Sequence, residues 1–176
     1  MKNRLRTLTV VLYPYAYLVC LGAYYFLCAR FEGADGLRTG GLRVLVVLAV
    51  LFNLYAAFSV IANLVAAVRG KRAAMQLAKA NRMIKLAHIP AYVFHFALGI
   101  LGLVASVRGI GLILWAILID FLTIILSGTV GLSASLCARK EGLLTEGESI
   151  AYVVLSFVYC ADVVAALVFC GKLKKR

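Results

Sequence analysis

The side chains in this sequence with chemistry to offer are few, and most stand inside apolar runs: His88 and His95, Asp120 and Asp162. An ionisable group surrounded by hydrocarbon is costly unless it pairs or meets water, so such residues nominate a site. Helix rise puts His95, Asp120, Asp162 and Asn53 each about 13–18 Å from the start of its run. They are expected to converge near a membrane midplane, with Asn53, Thr123 and Tyr159 as neutral hydrogen-bond partners.

Such a cluster could do one of three things. It could pass protons or cations through a small transporter or permeation module, using carboxylates that change protonation. It could act as glue, a buried pair fixing helix register in a structural, regulatory or complex-forming protein. It could catalyse. Hydrolysis would need a nucleophile, a base and an oxyanion pocket; Ser127 and His95 could be proposed, but no Gly-x-Ser-x-Gly or His-Glu-x-x-His motif supports them. The reading preferred from the residues is a non-catalytic structural, regulatory or subunit role, with proton- or cation-linked transport as the alternative. No cofactor is expected: His88 and His95 lie on one helix face, the wrong arrangement for two axial ligands of a haem. No metal is expected either, because ligands at short spacing are missing.

The elements that must position these residues follow from composition. Of 176 residues, 64% are hydrophobic, against about 45–50% in soluble domains, and mean hydropathy is +1.00. This predicts an all-α, polytopic transmembrane helix bundle in one domain covering residues 1–176. Apolar runs at 8–29, 44–68, 86–107, 110–136 and 150–170 are each long enough to cross a bilayer, giving five expected spans. The first is read as a retained span, since its apolar core is longer than that of a signal peptide.

Polar and small residues recur at helical spacing on each run. In the second, Ala49, Asn53, Ala56, Val60, Asn63 and Ala67 form one narrow face; in the fourth, Ala116, Asp120, Thr123, Ser127, Gly131 and Ser135 do the same. Small residues let helix backbones approach closely. The tract SGTVGLSAS in the fourth run is where tight packing or a local break is expected.

Lys and Arg number 19 against 7 Asp and Glu, a net charge of +12. The cations lie in short stretches between apolar runs, which points to anionic lipid headgroups and topology and away from nucleic acid. Segment 69–85 is the most basic; on an interfacial amphipathic helix its Arg69, Lys71, Arg72, Lys79, Arg82 and Lys85 would contact headgroups. Pro90 lacks an amide hydrogen, so a hinge is expected at His88 and Pro90, with His88 at the membrane surface. With five spans, eleven cations fall on the amino-terminal side and eight on the other. That count favours a cytoplasmic amino terminus but strands the basic tail outside, unless the first or fourth run fails to cross. The five cysteines are expected to be free thiols; with five spans Cys28 and Cys170 both approach the outer surface, which makes a disulfide between them conceivable.

The phrases IKLAHIPAYVFHFALG, DFLTIILSGTVGL and FVYCADVVAAL resemble a family of small polytopic membrane proteins of gut-type Gram-positive bacteria with no assigned activity. The resemblance implies a bacterial plasma-membrane protein with Lys85, Ile89 and Pro90 leading into the third span and Asp120 and Asp162 in the last two. It implies no substrate. A homo-oligomer or a place in a membrane complex is compatible with it.

Overall fold

The computed structural model describes residues 2–31, 33 and 35–175, without the side chains of residues 2–4 and 108. Among these residues all regular structure is helical: α1 (Lys2–Arg30), α2 (Asp35–Val68), α3 (Ala74–Val104), α4 (Ile110–Lys140), α5 (Glu146–Leu155) and α6 (Ala161–Lys174). Four helices are long and apolar enough to cross a membrane: Leu5–Arg30 within α1, and the whole of α2, α3 and α4. The α3–α4 pair packs most extensively. On one side lie α1 and α2; on the other, α6 packs on α3 and α5 on α4.

The fifth apolar run does not form one long helix. It breaks into helices of 10 and 14 residues, about 15 and 21 Å long. Glu148 at the start of α5 forms an ion pair with Lys172 near the end of α6, and the Tyr152 and Phe169 rings lie 4.9 Å apart. The two helices are therefore antiparallel arms of a hairpin. It enters and leaves at one end of the bundle, and each arm is shorter than the ~30 Å that a crossing helix needs. Expectation placed any incomplete crossing in the first or fourth run; the break falls in the fifth because α4 offers a seat for it.

That seat is made by two glycines. A Cβ built on Gly128 would lie 2.7 Å from the Phe157 ring and 2.9 Å from the Ser156 carbonyl oxygen, and one on Gly131 would overlap the Ser156 side chain. The small-residue tract thus forms a notch in α4 that receives residues 156–157, which explains why packing there is so close. Cys160 takes a positive φ of 63° as the chain reverses into α6, a conformation that side chains other than glycine's rarely adopt. The base of the hairpin begins at a capping box: Thr145 Oγ1 accepts from the Glu148 amide at 3.3 Å, and Glu148 accepts from the Thr145 amide at 3.1 Å.

The returning hairpin changes the charge distribution. Lys172, Lys174 and Lys175 sit at the end of the bundle that holds residues 69–85, Arg139 and Lys140; Arg176 lies outside the described residues. A buried cluster joins these parts, including Ala67, Leu77, Cys137, Leu144, Phe169 and Leu173. Arg30, Arg38, Arg43 and the turn at Arg108 are left at the opposite end. The conflict between the basic tail and the remaining cations disappears. It also separates Cys170, buried in that cluster, from Cys28 near the far end of α1, so the conceivable disulfide has no geometry; all five cysteines are free.

Segment 69–85 is not a separate surface helix. Its last twelve residues are the opening turns of α3, which continues unbroken through Pro90. Arg69, Lys71, Lys79 and Arg82 remain exposed, and Arg72 is half-buried, donating to Asn63 Oδ1 at 3.1 Å. Burial, followed by the nearby Arg6, holds the Arg72 guanidinium below its ordinary value. Lys85 departs from the expectation of headgroup contact, being fully buried.

Candidate functional site

The expected single cluster is divided into three stations. The first is at the hairpin tip. Lys85 Nζ lies 2.5 Å from Asp162 Oδ2, with neither side chain exposed. It also donates to Ser127 Oγ at 2.7 Å and to the Ser156 carbonyl at 3.3 Å. An ammonium has three donors, and all three are used. Asp162 Oδ1 in turn accepts from the Val163 amide at 2.8 Å.

This pair also answers the dipoles of the broken run. Ser156 caps the carboxyl end of α5, where carbonyls lack intrahelical partners and cations are favoured. Asp162 stands in the first turn of α6, where amide groups favour an anion. Lys85 and Asp162 therefore bind each other and one helix end each.

The second station pairs His95 and Asp120, the Nδ1 to Oδ1 distance being 2.5 Å. The His95 ring is edge-on to Trp115 at 5.3 Å, and its Nε2 is buried without a hydrogen-bond partner. The Asp120 side chain remains 16% exposed. Both line a hollow of about 320 Å³ between α3 and α4, walled by apolar residues and by Tyr159 from the hairpin tip. His95 follows Lys85 by ten residues of one helix, a displacement of about 15 Å, so the two pairs occupy different depths.

The third station ties α1 to α2. Asn53 accepts from the Tyr13 hydroxyl at 2.6 Å, and its amide donates to the Tyr17 hydroxyl and, at 2.8 Å, to the Ala49 carbonyl. Asn53 thus takes no part in either charged pair. Thr123 is buried between the first two stations with its hydroxyl donated to the Ile119 carbonyl of its own helix at 2.7 Å. Tyr159 stacks obliquely on Tyr92 at 5.1 Å between ring centroids.

His88 is not at a surface. It is fully buried, and its Nε2 donates to the Val10 carbonyl at 2.9 Å. Pro14 explains this bond: lacking an amide hydrogen, it leaves the carbonyl four residues earlier, that of Val10, without its helical donor. Tyr15 repays the contact by donating to the Ala87 carbonyl, beside the Pro90 turn. The carbonyl freed by Pro14 is thus satisfied from α3, and at the expected hinge of His88 and Pro90 the helix runs on, tied to α1 by the His88 and Tyr15 bonds.

Lys85 is the residue that reasoning from the sequence assigned to the wrong surface. One signal was present: it lies three residues before His88 and seven before Tyr92, on the inward face of α3. The Thr145-x-x-Glu148 capping box likewise marked a helix start ahead of the apolar run. Among the described residues, no group of three or more His, Cys, Asp or Glu could hold a metal ion.

No curated protein and no solved structure matches the chain. A family model does, over residues 3–175, and its description, a family of unknown function, agrees with the resemblance in its coarser part. The chain belongs to that family of unknown function, DUF6652.

Proposed function

We propose that this is an integral plasma-membrane protein with four spans and one re-entrant hairpin, both termini cytoplasmic, acting as a non-catalytic structural or regulatory subunit. The saturated Lys85–Asp162 pair carries this reading: every Lys85 donor is occupied and neither side chain is accessible. A group that must exchange protons with water needs access to it, and this pair is arranged as a lock. Non-helical backbone at membrane depth is tolerated where protein buries it, as α4 buries the hairpin tip. The orientation follows from the cations gathered at the hairpin end, where Arg69, Lys71, Arg72, Lys79 and Arg82 would meet anionic lipid.

In a cysteine-free background, single cysteines replacing Gln76 and Lys175 are both expected to be protected from an impermeant reagent outside intact cells, while one replacing Gly33 is labelled. Labelling at Lys175 with protection at Gln76 would restore five spans. For the role, reconstituted liposomes are expected to show no proton or cation flux above empty vesicles.

A second reading, proton- or cation-linked transport, is favoured by a different observation: Asp120 is partly open to a hollow, whereas Asp162 is sealed. A flux abolished by Asp120→Asn in a normally folded protein would establish it and overturn the first.

A further inference from the structure

We infer that the hollow beside His95 and Asp120 binds a lipid-soluble organic cation, an ammonium or phosphonium on an apolar body, with Asp120 as its counter-ion. The inference rests on the membrane-embedded reading above and adds a ligand class to it.

The protonation state of His95 comes first. Its Nδ1 faces Asp120 Oδ1 at 2.5 Å, and its Nε2 is buried with no partner. A charged imidazole carries hydrogen on both nitrogens. Charging His95 would therefore bury a second N–H donor, on Nε2, with nothing to receive it, at the cost of an unsatisfied buried donor. The neutral tautomer avoids that cost, with its one hydrogen on Nδ1 donated to the carboxylate. The pair then bears the single negative charge of Asp120.

Among the described residues no fixed positive charge is paired with that carboxylate. Among the described residues His95 is the sole ion-pair partner of Asp120, and the nearest deep cation, Lys85, is fully engaged by Asp162. The carboxylate is the polar group of the pair that reaches the hollow, since its side chain is partly exposed and that of His95 is not. Around it stand Phe96, Gly99, Ile100, Ile117 and Tyr159. An aromatic face attracts a cation, and an alkylated or arylated cation loses little hydration on entering. Phe96 and Tyr159 also border a second hollow of about 480 Å³ between α3 and α6, which gives the apolar body of such a ligand room to extend.

The test uses the full chain reconstituted in nanodiscs of zwitterionic lipid, and two probes of equal shape and opposite charge: tetraphenylphosphonium and tetraphenylborate. Trp115 is the sole tryptophan and touches His95, so its fluorescence reports occupancy. Saturable binding of the phosphonium is expected, at least tenfold tighter than the borate. Asp120→Asn should weaken it at least tenfold. Gly99→Phe should do the same by filling the hollow while keeping the charged pair; Gly99 lines the hollow and a Cβ built there meets nothing within 4 Å, so there is room for a side chain to start into it. Equal binding of the two probes, no saturable binding, or unchanged affinity in Gly99→Phe overturns the proposal. If Asp120→Asn misfolds, the Gly99 variant decides. A chain that fails to enter nanodiscs would instead defeat the membrane reading on which the inference rests.

Discussion

Two acid–base pairs hold this bundle, and they differ in what surrounds them. Lys85 and Asp162 are sealed, with each Lys85 donor matched and both ends of a helix break satisfied. His95 and Asp120 are incompletely satisfied: one imidazole nitrogen is unpartnered, and the carboxylate reaches a hollow. Burial alone therefore does not mark a working site. A charge whose hydrogen-bonding capacity is used up can only hold things together, whereas one with capacity left over can take a ligand.

The sharpest way to break the comparison is to remove one partner of the sealed pair. Asp162→Ala leaves the Lys85 ammonium buried and unpaired, a loss of about 3–5 kcal/mol. The double variant Lys85→Met, Asp162→Leu should recover most of it, because apolar groups of similar size carry no desolvation cost. Unfolding in a detergent titration would measure both, and a double variant as unstable as the single one would deny that the pair is a lock. The seat comes next. Gly131→Leu drives a side chain into Ser156, with an overpacking cost of about 1–3 kcal/mol. Hydrogen exchange should then rise in α5 and α6 but stay unchanged in α1 and α2.

The all-helical architecture was legible in the sequence because long apolar runs leave few alternatives, and the pairing of His95 with Asp120 could be anticipated from matched depth. The hairpin could not. Residues 156–160 read SFVYC, with no Gly or Pro to announce a break. The turn is created by tertiary contacts: a notch in α4, and a lysine from α3 that donates to the Ser156 carbonyl. Periodicity describes one helix at a time and is blind to both. For the same reason Lys85 counted as one more cation of a basic stretch, and Pro90 suggested a hinge although α3 continues through it and His88 and Tyr15 tie that stretch to α1.

At the half-open pair the expected loss of stability is smaller. In Asp120→Asn the amide oxygen still accepts from His95 Nδ1, so the change should be about 1 kcal/mol, the net worth of an ordinary hydrogen bond. Measured beside Asp162→Ala in the same titration, it should be several times less. Equal losses at the two positions would erase the distinction between lock and site.

The smallest effect is expected at the base of the hairpin, where a third charge pair is open to solvent. Hydrogen bonding to Lys172, and then to the Thr145 amide, holds the Glu148 carboxyl at about 2, below its ordinary value of 4.5. A depressed folded value means that the charged form favours the folded state. The contribution is complete above about 4.5 and disappears as pH falls through about 2. Because the group lies in water, the effect should be local fraying and not unfolding. Amide exchange in the first turns of α5 should quicken across that window, relative to the intrinsic rate, while the sealed tip stays protected. Lys172→Met should shrink the shift and leave the share due to the capping box. If tip and base instead loosen together as the pH falls, the hairpin is held from its exposed end, and the role given to Lys85 and Asp162 is wrong.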